Sequence, residues 1–111
     1  MYIIKTTLNS VQIPKETEFS ICVKNEFFLD KTGNITEAIE ESNGVPYGDI
    51  CIKTPNSEYR FCKVYAAYEV VARMIYYMNQ HLFDSILVLD LEKLCEESFG
   101  FRMYGKFTHN E

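Results

Sequence analysis

No two cysteines in this chain stand at a Cys-x-x-Cys spacing, and its two histidines, His81 and His109, stand alone. A zinc site is therefore not visible in the sequence. No Ser, His and Asp arrangement stands out, and the glycines are scattered, so neither a nucleophilic triad nor a phosphate-cradling loop is legible. No polar low-complexity tract is present, and no apolar run reaches the length of a membrane span. Basic residues are in deficit, 11 Lys and Arg against 16 Asp and Glu, for a net charge of −5. That balance disfavours nonspecific attraction to phosphate backbones and anionic membranes, so neither nucleic acid nor a membrane is an expected partner. Met1-Tyr2-Ile3-Ile4-Lys5 passes straight into polar residues instead of a signal-peptide core, which makes the cytoplasm the expected location. In such a reducing compartment Cys22, Cys51, Cys62 and Cys95 are expected to be small buried hydrophobes.

What is present is enough apolar material to fold. The 111 residues are 47% hydrophobic and 14% aromatic, which suits one domain spanning 1–111 with its own core. Phe61, Val64, Tyr68, Val71, Ile75, Met78 and Leu82 follow one another at alternating steps of three and four, the spacing of one helix face. A helix is expected from about Lys63 onward. Whether Glu58 to Cys62 forms its first turn or an earlier strand is open. The strand is favoured, because a helix from Ser57 to Leu82 would span about 39 Å. A Pro55 to Glu58 loop would then set Thr54 opposite Tyr59, Ile52 opposite Phe61 and Cys51 opposite Cys62.

Strands are expected at Tyr2 to Thr7, Phe19 to Val23 and Asp49 to Lys53, with a short apolar run at Glu26 to Leu29 and a loop around Pro14. A short helix should run from Asn34 or Thr36 to about Ser42, closed by Asn43-Gly44, with Ile35, Ala38 and Ile39 inward and Glu37, Glu40 and Glu41 in water. Ser85 to Leu89 reads as a central strand buried on both faces, Asp90 as the cap of a helix over Leu91 to Glu97, and Phe99 to Phe107 as a last strand. The fold class that follows is α+β, a mostly antiparallel curved sheet packed on one long helix plus two short helices.

Phe27 to Thr36 resembles the phosphorylation motif of P-type ATPases and, more loosely, of haloacid dehalogenase-like phosphatases. That resemblance implies Asp30 as a nucleophile forming an aspartyl phosphate. A turn at Asp30-Lys31-Thr32-Gly33 explains the same residues and is the preferred reading. Ser98 to Tyr104 looks like the aromatic signature of RNA recognition domains, which implies ring side chains stacked on bases. The acidic balance of the chain opposes that use.

Three surfaces remain. Tyr65, Tyr76 and Tyr77 flank the helical stripe, where a ring buries area while its hydroxyl keeps a polar partner. Glu37, Glu40 and Glu41 form a negative patch of the kind that competes with phosphates for Lys and Arg. Arg102, Tyr104 and Lys106 alternate onto one face of the last expected strand and could meet a small anionic ligand. The function expected from these features is non-enzymatic protein binding. Such a protein acts as a homodimer or on a foreign partner, with no cofactor, no metal and no catalytic residues. Few Ala and Arg among many Ile, Asn, Lys, Tyr and Phe point to an AT-rich gene. Compact acidic proteins of this kind include inhibitors, immunity proteins and the anti-defence proteins of phages and mobile elements. The alternatives are a protein that sequesters a small molecule or nucleotide, and phosphoryl transfer at Asp30.

Overall fold

The hydrophobic pattern resolves into two small sheets and two helices that share one apolar cluster. The computed structural model describes residues 1–38, 40, 46–81 and 85–98. In chain order these form β1 (Tyr2–Lys5), β2 (Ser10–Ile13), β3 (Ser20–Leu29), β4 (Ile35–Thr36), β5 (Tyr47–Lys53), β6 (Glu58–Tyr65), α1 (Ala67–Gln80), β7 (Leu87–Asp90) and α2 (Leu91–Ser98). One sheet has the order β2-β1-β7, with β1 antiparallel to β2 and parallel to β7; the other is antiparallel in the order β4-β3-β5-β6. The fold class is mixed α+β, with the antiparallel sheet curled and two helices among the described residues, not the expected three.

Alternation places Ile21, Val23, Ile50, Ile52 and Phe61 in the core with Val70, Val71 and Met74 of α1. Ile4, Val11, Ile13 and Leu89 bring the inner face of the other sheet into the same cluster, together with Leu91 and Leu94 of α2. The four-stranded sheet curls because two bulges interrupt its register on either side of β5. One lies between Lys24 and Phe27 of β3; the other lies in β6 opposite Asp49. Asn25 and Lys63 take positive φ angles at these places, and the Asp49 carboxylate accepts the Lys63 amide at 3.0 Å. Gly48 sits between them where a Cβ would come within 2.8 Å of Val23 and 3.2 Å of Ala67, so its missing side chain lets α1 settle onto the sheet.

The long helix starts at Ala67 instead of Lys63, after Ala66 turns the chain in the left-handed region at φ 51°. Phe61 and Val64 belong to β6 and are both buried although three residues apart, because the intervening bulge converts the strand period of two into a step of three. The helical stripe thus spans a strand and a helix, with Val70, Val71 and Met74 at the centre of the buried face and Tyr68, Ile75 and Met78 at its margin. Leu82 lies outside the described residues.

The favoured hairpin is present with its register moved by two. Lys53 faces Glu58, Ile52 faces Tyr59, Cys51 faces Arg60 and Ile50 faces Phe61, and Thr54 donates to the Ser57 carbonyl at 2.8 Å. A shift of two preserves which side chains face the core. The expected loop around Pro14 contains β2, and the two apolar runs of Phe19 to Val23 and Glu26 to Leu29 are one bulged strand.

In place of the start of the expected helix after Asn34, the chain turns back as β4 and pairs Leu29 with Ile35 and Phe28 with Thr36. Ile35 is 68% exposed and not in the core. The cause is the turn before it. Asp30 Oδ1 accepts the amides of Thr32 at 2.8 Å and Asn34 at 2.9 Å and the Thr32 hydroxyl at 2.7 Å, and Gly33 supplies a φ of +87°. Ile39, Glu41 and Ser42, which would have continued that helix, and the Asn43-Gly44 expected to close it lie outside the described residues.

Cys22 and Cys51 are buried as expected, Cys95 is half-buried and Cys62 is exposed. No helix among the described residues is long and apolar enough to cross a membrane.

Candidate functional site

Among the described residues, the strand expected at the centre of a sheet has a neighbour on one side only. β7 pairs with β1 on one side, and no other described strand lies beside it. The Leu87 amide donates to the Met1 carbonyl at 3.0 Å, so the polar groups of Leu87 face β1 and alternation turns those of Val88 toward the open side. Ile86 is 61% and Val88 49% exposed, an apolar pair beside a row of backbone donors and acceptors that no described strand fills. Val88 continues an outer-face row in which Ile3 of β1 lies opposite both Gln12 and Val88.

Along this edge runs a groove of about 400 Å³, floored by Leu87, Val88 and Leu89 and walled by Tyr77, Lys93 and Glu97. Its walls are tied together. Arg73 of α1 reaches Glu97 of α2 with Nη1 to Oε2 at 3.0 Å and donates from Nη2 to the Glu97 carbonyl at 3.2 Å; the Tyr77 hydroxyl donates to the same carboxylate at 3.1 Å. Asp90 caps α2 as the sequence indicates, Oδ1 accepting the Glu92 amide at 3.1 Å and the Lys93 amide at 3.4 Å. At the first turn of α2, Glu92 accepts the Thr7 amide at 3.1 Å and the Thr7 hydroxyl at 2.6 Å, fastening the helix to the β1–β2 loop. The Thr7 hydroxyl and then its amide hold the Glu92 carboxyl below its ordinary range.

A second groove of about 370 Å³ lies across α2, lined by Arg60, Cys62, Lys63, Glu92 and Cys95 among others. Burial pushes the Cys95 thiol up to about 11, and Cys95 donates to the Tyr65 carbonyl at 3.3 Å, so this thiol is a neutral packing group.

The tyrosines named from sequence do not form one surface. Tyr77 lines the β7 groove and Tyr76, 48% exposed, stands edge-on to it with ring centroids 5.6 Å apart. Tyr65 is in β6, not on the helix; its ring packs edge-on against Tyr47 at 5.3 Å, and burial followed by the neighbouring Tyr47 pushes its phenol up. Glu37 and Glu40 are exposed beyond β4, whereas Glu41, Arg102, Tyr104 and Lys106 lie outside the described residues, as does the expected strand from Phe99 to Phe107. The Asp30 carboxylate serves the turn, and the Thr32 hydroxyl and the Asn34 amide hold it below the ordinary carboxylate range. Among the described residues no cluster of His, Cys, Asp and Glu could hold a metal ion.

Ile86, Val88 and Lys93 had no sequence signal as site residues. An apolar run reads the same whether its second face meets a core or water. Comparison with family models, with curated proteins and with solved structures gave no match, so the reading of the groove rests on its own geometry.

Proposed function

We propose that this chain is a small acidic non-enzymatic binding protein whose docking strip is the open edge of β7. The observation that supports it is the outward-turned amide and carbonyl of Val88 beside exposed Ile86 and Val88, with the ring of Tyr77 and the flanking Tyr76 at the groove wall. An extended segment of a partner adds to such an edge through main-chain hydrogen bonds, and side-chain pockets beside the edge give the selectivity. The groove carries cations from Lys5 and Lys93 and anions from Asp90 and Glu97, so it takes a segment of alternating apolar residues with polar ends. The net charge of −5 favours faster encounter with a basic partner. Inhibition by occupying the strand edge of such a partner is the form of this reading that agrees with the charge. A second copy of this chain is another occupant the same edge would accept.

The variant that tests it is Val88→Pro. Proline removes the outward amide and leaves the bond from Leu87 to Met1 in place, a position where an edge strand tolerates it. Peptides of alternating apolar sequence selected from a random library against the wild-type protein should bind Val88→Pro at least tenfold more weakly. Equal binding by the variant would sink the proposal.

A further inference from the structure

On the face of the four-stranded sheet opposite α1, the register sets three side chains in a row. Cys22 of β3 faces Cys51 of β5, and Cys51 faces Arg60 of β6. Both cysteines are free and fully buried. Opposed residues of an antiparallel pair stand about 4.5 to 5.5 Å apart at Cα. That lies within the roughly 4.4 to 6.8 Å a disulfide spans. We propose that Cys22 and Cys51 form an oxidisable dithiol that a low-molecular-weight disulfide of the glutathione class closes into an intramolecular cross-strand disulfide.

The chemistry balances in two exchanges. The Cys51 thiolate attacks one sulfur of the small disulfide, forming a mixed disulfide and releasing one small thiolate. The Cys22 thiolate then attacks the Cys51 sulfur and expels the second. Two electrons pass from the protein to the reagent, and the two protons lost by the cysteines end on the two small thiols.

The surroundings assign the order. Arg60 stands in register with Cys51, so the sulfur that attacks first is the one with a cation on its neighbouring strand, and that guanidinium is also held 3.9 Å from Asp49. Burial, and then Cys51 itself, pushes the Cys22 thiol up, which suits the sulfur that waits for a tethered electrophile. Burial makes the first exchange depend on local opening of the β3–β5 pair, so it is slower than reaction at exposed Cys62. The bond would join β3 and β5 across the segment that carries β4.

The test uses the full chain with Cys62→Ser and Cys95→Ser, which removes the competing thiols. Folded protein is incubated with oxidised glutathione, and the thiols, peptide map and thermal midpoint are followed. The expected result is joint loss of both thiols without a glutathione adduct, a proteolytic fragment linking the Cys22 and Cys51 peptides, and a midpoint raised by at least about 5 °C. Two results would overturn the proposal. One is a folded protein that keeps both thiols after an exposure that oxidises the same chain in denaturant. The other is a stable glutathione adduct on one cysteine with the other still free.

Discussion

Among the described residues, the three-stranded sheet has two edges built to opposite rules. On the β2 edge the residues that face water are Ser10 and Gln12, and Pro14 follows at the end of the strand. On the β7 edge the corresponding residue is Val88, with exposed Ile86 just before the strand. Both strands are four residues long, pair with the same β1 and bury their alternate positions, Val11 and Ile13 on one side and Leu89 on the other. Position at an edge therefore does not by itself account for exposed apolar side chains. The polar edge is the kind that resists pairing with another chain, and the apolar edge is the kind that invites it.

That contrast can be tested by trading its parts. The largest effect should come from the buried side of β7, where Leu89→Ala is expected to cost about 3 kcal/mol in denaturant unfolding through loss of packing against Ile4. Its neighbour Val88→Thr should stay within about 0.5 kcal/mol of wild type. Similar losses at the two positions would mean that the outer face of β7 is packed and not available to a partner.

A smaller effect is expected from tethering. Glu92, which fastens α2 beside the groove to the β1–β2 loop, has its folded pKa below the ordinary 4.5. It thus contributes stability that is fully present above that value and is lost as pH falls through the lowered folded value. Thermal midpoints recorded from neutral pH downward should fall less steeply for Glu92→Gln than for wild type; parallel curves would remove the tether from the account.

The smallest change in stability, with a gain of association, is expected for Gln12→Val, which gives the β2 edge an apolar outward residue. Its unfolding midpoint should match wild type, while light scattering across a concentration series should show more self-association. A variant as dispersed as wild type would show that an apolar residue is not what makes an edge adhesive here.

Much of this fold could be read from the chain. The turn at Asp30, the cap at Asp90, the hairpin after Lys53 and the α+β class all rest on local chemistry that needs no distant partner. The start of the long helix could not be read. A bulge at Lys63 and a left-handed Ala66 have no residue signature, because neither position is glycine, and the bulge spaces Phe61 and Val64 like a helix face. Ile35, expected inward on a helix, is exposed in β4, because a turn that closes a hairpin and one that leads into a helix start with the same residues. The candidate site was the least legible part. Its strand was located, but whether Val88 meets a core or water depends on which strands lie beside β7, a long-range fact that a run of apolar letters does not carry. Tyr77 could be named from its flank position, yet its role as a groove wall depends on Glu97, which arrives from α2.

The most direct measurement of the central claim is the affinity of wild type and Val88→Pro for one extended peptide of alternating apolar residues, read by fluorescence anisotropy alongside each protein's thermal midpoint. If the edge of β7 is the docking strip, the midpoints lie within a few degrees of each other and the affinity of the variant is at least tenfold lower. Undiminished binding by a folded Val88→Pro protein would contradict it.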